Sequence, residues 1–243
     1  MVIYQDWKPM YNQLAKHYDS LVKDDDATQA YVDFTKKYAK GKNMLELACG
    51  SGEISLALAK TGYQLVATDL SNQMLDEARK KDVEGLVDYA YMNMYDMSQA
   101  GIYDTVICYC DSMNYIDEQH IASVLKQVYD HLEDDGIFLF DMHALDRLDE
   151  FKEEFYEAGK VDDTDFIWSI ISDENRLLHN FVFYEKDGST QYEHHEQWVF
   201  NPNQITSILT ELGFQVEIYT DFVQPGIQEG EKYFYVCRKE VIA

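Results

Sequence analysis

The stretch Leu45-Glu46-Leu47-Ala48-Cys49-Gly50-Ser51-Gly52-Glu53 decides how the rest of the chain is read. A short apolar run passes at once into a glycine turn, and an apolar-periodic segment follows to Lys60. A strand that turns directly into a helix, with a ligand against the turn, needs residues without a Cβ. Gly50 and Gly52 allow a close backbone approach, and the helix beyond offers unpaired N–H groups to a carboxylate or phosphate. Asp69 ends the next apolar run, residues 63–68, where a carboxylate can accept hydrogen bonds from both hydroxyls of a ribose. Two other readings fit the same residues. One is a tight turn with a solvated helix cap. The other is a nicotinamide site, although its fingerprint has a third glycine where this chain has Ser55.

Outward from this stretch the chain alternates between apolar runs and helical periodicity. Ser71 is placed to cap a helix carrying Met74, Leu75 and Ala78. Runs at residues 86–92, 103–110 and 137–142 read as strands. Between the last two, Ile121, Val124, Leu125, Val128 and Leu132 form a helical stripe that Gly136 is expected to end. Such alternation predicts a mostly parallel sheet with helices on both faces. Ahead of it, Tyr11, Leu14, Ala15 and Tyr18, then Ala30, Tyr31, Phe34 and Tyr38, fall at helical spacing, with Asp24-Asp25-Asp26 read as a loop and Gly41 as a stop. Behind it, residues 149–158 read as an acidic helical piece. Three aromatic-rich runs, 165–172, 176–185 and 190–200, then read as an antiparallel meander turning at Asp173-Glu174-Asn175 and Asp187-Gly188. Asn201-Pro202 starts a helix with its stripe at Ile205, Ile208, Leu209 and Leu212, and two strands follow, near 214–222 and 232–238. The expected organisation is a helical cap (1–42), an α/β core (43–148), a β insertion (149–200) and a segment completing the core sheet (201–243).

Composition narrows the function. The 243 residues carry 20 Lys and Arg against 45 Asp and Glu, a net charge of −25. A surface that binds a polyanion needs the opposite surplus, so nucleic acid and anionic membrane are not expected partners. The four cysteines, Cys49, Cys108, Cys110 and Cys237, form no C-x-x-C pair and all read as buried free thiols of a reducing compartment. With no signal-like N-terminus and no apolar run of membrane-span length, a cytoplasmic location is expected.

Glu46-x-Ala48-Cys49-Gly50-x-Gly52 resembles the first motif of the class I S-adenosylmethionine-dependent methyltransferases, and Asp69 matches the acidic residue of their second. The resemblance runs from about Tyr11 to Arg238. It implies a Rossmann-like α/β fold with a seven-stranded, mostly parallel sheet, the antiparallel last strand lying between the fifth and sixth, and the β insertion added. It implies S-adenosyl-L-methionine as cofactor and S-adenosyl-L-homocysteine as product. By that match Glu46 shapes the loop, Ala48, Cys49, Gly50 and Gly52 surround the methionine moiety, Asp69 holds the ribose, and Leu70 and Met74 flank the adenosine. Asn93-Met94 matches the adenine-reading position, with Asn93 where an Asp is usual. Cys110, Asp111 and Tyr115 end the fourth strand near the reactive methyl, and Tyr11 and Tyr18 belong to a helix closing over the cofactor.

The implied reaction is methyl transfer to a small molecule by a monomer or homodimer. The alternatives are a cofactor-binding module without turnover, an RNA or protein methyltransferase, or a nicotinamide enzyme. Nothing in the sequence selects the acceptor atom. Candidate catalytic groups are His143, just past the fifth strand, His195 with Gln197 on one face of the meander, and Asn114 with Tyr115. Neighbouring His194 and His195 point to opposite faces of a strand, so no metal site is expected there. The meander is expected to wall the acceptor pocket, the rival reading being a dimer surface. Asp69→Ala is expected to weaken the cofactor with little change in fold.

Overall fold

The computed structural model describes residues 17, 19–21 and 24–240. Tyr11 and Tyr18 lie outside the described residues. Helix α1 (Asp25–Tyr38) is followed by β1 (Asn43–Leu47), α2 (Glu53–Lys60), β2 (Gln64–Asp69), α3 (Asn72–Lys81), β3 (Val87–Tyr91) and β4 (Tyr103–Cys108). A 3-10 turn at Ser112–Tyr115 leads to α4 (Ile121–Asp130) and the long β5 (Leu132–His143). Then come α5 (Asp146–Glu150), β6 (Phe155–Val161), β7 (Thr164–Asp173), β8 (Arg176–Tyr184) and β9 (Thr190–Trp198). The chain closes with α6 (Pro202–Leu212), β10 (Phe214–Thr220), β11 (Gln224–Pro225) and β12 (Lys232–Lys239).

The main sheet runs β11-β10-β12-β5-β4-β1-β2-β3, and β6 to β9 form a second sheet in sequence order. β12 is antiparallel to both neighbours and fills the gap between β5 and β10, as expected. The two-residue β11 makes the sheet eight strands wide rather than seven. Asp221 and Phe222 both take left-handed backbone, which folds the chain back so that Pro225 pairs with Tyr219. Proline is tolerated there because an edge strand needs no outward N–H.

Each face of the sheet buries its own apolar layer. Leu45, Leu47, Val106, Phe138 and Phe140 meet the α4 stripe and α6 on one side. Met44, Leu65, Ile107 and Leu139 meet α1 and α2 on the other. The alternation along β1 and β5 is therefore apolar on both faces, the mark of a covered parallel sheet.

Three local expectations are corrected. Asp24-Asp25-Asp26 is no loop: Asp24 caps α1 by accepting the Ala27 N–H at 2.9 Å, and Asp25 and Asp26 sit in the first turn, where the helix dipole favours acids. Gly136 does not end α4, which stops at Asp130. It lies in a bulge of β5, where three extra residues stand between the Tyr103–Leu132 and Thr105–Ile137 pairs, and a Cβ there would meet the Glu133 carbonyl at 2.8 Å. Residues 149–158 are helical only to Glu150, and from Phe155 they form β6, pairing with β7 from Phe155–Ile170 to Val161–Thr164. Pairing with a hydrophobic neighbour strand overrides the helical preference of this acidic stretch.

Candidate active site

The carboxyl ends of β1, β2, β4 and β5, the second sheet and α1 enclose a cavity of about 650 Å³. That is ample for a nucleoside-sized ligand and a second small molecule. Its floor begins at the glycine turn. Ala48, Gly50 and Gly52 all adopt positive φ, at 53°, 54° and 78°. A Cβ on Gly50 would have no atom within 4 Å and would project into open space, so this position keeps a ligand's place clear. Gly52 serves packing instead, since a Cβ there would lie 2.8 Å from both Ala78 Cβ and the Tyr89 hydroxyl. As the N-cap of α2, Gly52 has no side chain to take the first helical N–H groups.

Asp69 locks this turn to β2. Its Oδ2 accepts the Gly50 N–H at 2.8 Å and its Oδ1 accepts the Ser71 N–H at 2.7 Å. Burial pushes its carboxyl up, opposed by those backbone bonds. Each oxygen keeps a second lone pair, and the side chain lines the cavity. Because two loops hang on it, Asp69 carries fold stability, which bears against the expectation that Asp69→Ala would change the fold little. Glu46, a buried carboxyl in an apolar strand, accepts from Ser55 Oγ at 2.5 Å and so ties β1 to α2. Burial raises it to about 8, with Ser55 lowering it and Asp69 raising it further.

Leu70, Met74 and Met94 line the cavity beyond Asp69, and Cys49 lines it beside the glycine turn. Asn93 lines it too, with its Oδ1 taken by the Tyr95 N–H at 3.0 Å. Cys110 is exposed, unlike the other three cysteines, because it lies beyond β4 at the cavity.

At the far end Cys110 and Asp111 hold consecutive left-handed conformations, φ 57° and 60°. Strained turns of this kind persist only when neighbours over-determine them. Here Lys232 Nζ, from β12, donates to Asp111 Oδ2 at 2.9 Å, to Asp141 Oδ2 at 3.1 Å and to the Tyr31 hydroxyl at 3.2 Å. Burial works against the Lys232 ammonium, but Asp111 and Asp141 outweigh it and hold its proton firmly. Burial also raises Asp111, yet His143 and Lys232 bring it below the usual carboxylate range. Asp141, fully buried within β5, stays raised because burial dominates over Lys232.

His143 bridges this cluster to the second sheet. Its Nε2 donates to Gln197 Oε1 at 2.9 Å and its Nδ1 stands 3.5 Å from Asp111 Oδ1. Asn114 does not line the cavity. It braces it, accepting the His143 N–H at 3.1 Å and donating to the Trp198 carbonyl at 2.5 Å. Strand alternation puts His195 and Gln197 at the cavity and His194 on the exposed face. His195 Nε2 donates to Glu193 Oε1 at 2.8 Å, and its ring meets Tyr115 edge to face at 5.9 Å.

Sequence reasoning missed Tyr31, Asp141, Lys232, Trp168, His179 and Phe181. Asp141 carried a usable signal: it is a carboxylate inside an apolar run, where burial demands a partner. Lys232 carried none, because its role depends on β12 pairing with β5. Trp168 stacks on Phe181 at 5.3 Å and on His179 at 6.0 Å, making an aromatic wall from β7 and β8. Burial, with His143 and His195 nearby, lowers His179 to about 3, so its imidazole is neutral.

A family described as "Methyltransferase domain" matches residues 44–136. Along nearly its whole length the chain is similar to a Bacillus subtilis (strain 168) protein under the provisional name methyltransferase YqeM, 31% identical over 98% of each chain. A Geobacillus sp. (strain WCH70) protein, likewise provisionally named a methyltransferase, is 29% identical over 94% of this chain and 99% of its own. Among solved structures, an S-adenosylmethionine-dependent methyltransferase from Clostridium acetobutylicum ATCC 824 superposes with a TM-score of 0.81 at 22% identity, covering 95% of this chain and 99% of that one. The sugar N-methyltransferase KedS8 from Streptoalloteichus sp ATCC 53650 does so at 0.76 and 17%, covering 99% and 97%. At these identities the two structures speak to the fold.

Proposed function

Because the chain belongs to the class I S-adenosylmethionine-dependent methyltransferases, we propose that it methylates a small molecule held between the glycine turn and the second sheet. The cofactor supplies a methyl carbon made electrophilic by its sulfonium. The open space at Gly50 suits its methionine portion, the spare lone pairs of Asp69 suit its ribose hydroxyls, and Leu70, Met74 and Met94 suit its adenine. Asn93 accepts the Tyr95 N–H with one lone pair of its Oδ1 and keeps the other, so the side chain can still contact the adenine. The protein's work is to bring the acceptor into line with the methyl and keep water out, which alone supplies much of the rate.

The observation that carries the small-molecule reading is enclosure. The second sheet covers the carboxyl ends of the core strands, with Trp168, Phe181 and His195 facing the space beside Cys110 and Asp111. A net charge of −25 works against an RNA acceptor. The test is methyl transfer from labelled S-adenosylmethionine to a fractionated metabolite extract, with titration calorimetry of the cofactor alongside. Label confined to macromolecules, or tight cofactor binding without turnover on any fraction, would reject this reading.

A further inference from the structure

Resting on that reading, we infer that the acceptor is an amine without phosphate or carboxylate groups, its body packed on the aromatic wall of the second sheet. Two observations converge. The first is the balance of charge around the cavity. Among the described lining residues, eight carboxyl groups face two permanent cations, Lys232 and Arg147; with Glu46 protonated and Asp19 and Glu53 paired to Lys81, Asp24, Asp69, Asp111, Asp221 and Glu231 leave an acidic surplus. Lys232 has three protons, and each has an acceptor: Asp111, Asp141 and Tyr31. Arg147 pairs with Glu150 at 2.5 Å and lies over the Phe151 ring at 4.6 Å. An anionic acceptor would thus meet a field of its own sign and only cations already engaged, whereas the positive charge that appears on an amine nitrogen as it is methylated is favoured.

The second observation is the wall itself. Trp168 and Phe181, stacked at 5.3 Å, line the cavity with Ile170 beside them. Aromatic faces of this kind attract a positive charge and pack an apolar body equally well.

An amine needs no base in the site. It enters as the free base, having left its proton in bulk water, and its nitrogen lone pair forms the new C–N bond. The C–S bond breaks with its electron pair going to sulfur. The positive charge passes from sulfur to nitrogen and stays inside the acidic cavity, balanced throughout. A hydroxyl acceptor would instead release a proton that some base must take up.

The test uses the full chain, labelled S-adenosylmethionine and a low-mass extract of a Bacillus subtilis strain lacking the 31% identical relative. The extract is split on cation- and anion-exchange resins, and a portion of each fraction is acylated with an N-hydroxysuccinimide acetate and then treated with hydroxylamine, which restores esters and leaves amides. Acceptor activity held by the cation exchanger and abolished by acylation is the expected result. Activity held by the anion exchanger, or surviving acylation, overturns the amine assignment while leaving small-molecule methyl transfer standing. Label found only in protein or RNA would remove the small-molecule reading, and this inference falls with it.

Discussion

Replacing Glu46 by glutamine should change how stability depends on pH, and the size of the change follows from the structure. The carboxyl is fully buried in β1 and raised to about 8, against an ordinary value of 4.5 in the unfolded chain. Between those values the folded state binds a proton that the unfolded state does not, so stability falls as pH rises from the lower value through the upper one. From about pH 5.5 to about pH 8.5 the loss amounts to about 3 kcal/mol. The replacing amide is neutral throughout and can still accept from Ser55, so Glu46→Gln should match the native protein in acid and exceed it in mild alkali. The measurement is urea unfolding of ligand-free protein at both ends of this range, taking the difference between the two chains so that Asp69 and Asp141, also raised, cancel. Parallel pH profiles for the two proteins would refute the argument and show that Glu46 is ionised in the folded state.

Further outcomes follow from other positions. Asp69→Ala should weaken S-adenosylmethionine by roughly 10- to 150-fold in titration calorimetry. It should also cost about 2–5 kcal/mol in denaturant unfolding, because two buried backbone N–H groups lose their acceptor; unchanged affinity would reject the ribose assignment. Gly50→Val should bind cofactor poorly and also lose stability, because a β-branched residue is strained at φ 54°, and Gly52→Ala should lower the melting temperature, because its methyl meets Ala78 and Tyr89. Normal cofactor binding by folded Gly50→Val would show that the turn has been misassigned. Lys232→Met should cost about 3–5 kcal/mol by leaving Asp111 and Asp141 without their cation, and the loss should deepen with rising pH as both carboxyls ionise, which unfolding at two pH values would show. His195→Ala should cut turnover of a true acceptor with cofactor affinity held; lost self-association with full turnover in the monomer would show instead that the second sheet serves assembly.

Much of this was readable because it is local. A glycine turn between an apolar run and a periodic one, an acid at a strand end, and caps at Ser71 and Asn201 are each decided by a few neighbouring residues. The errors lie where a distant partner decides. Residues 155–158 became strand because β7 was there to pair with. Gly136 fell inside a strand because the bulge answers to β4, on the far side of α4. The end of the cavity beyond β4 was least legible, since Lys232, Asp111, His143 and Gln197 come from four separate elements and carry no common spacing. Asp141 was the exception, visible as a charge in an apolar run yet passed over, because the run itself was already explained.

The placement of β12 also has a consequence for how the molecule is made. Lys232 stands 91 residues after Asp141 in the chain. As the polypeptide leaves the ribosome, β5 emerges with one edge bare and its carboxylate without a cation, and it stays so while the whole second sheet is synthesised. Contacts of such long range form slowly, and an unpaired hydrophobic edge is open to pairing with other chains meanwhile. The end of the cavity built on Asp111, Asp141 and Lys232 is therefore completed only when β12 pairs with β5.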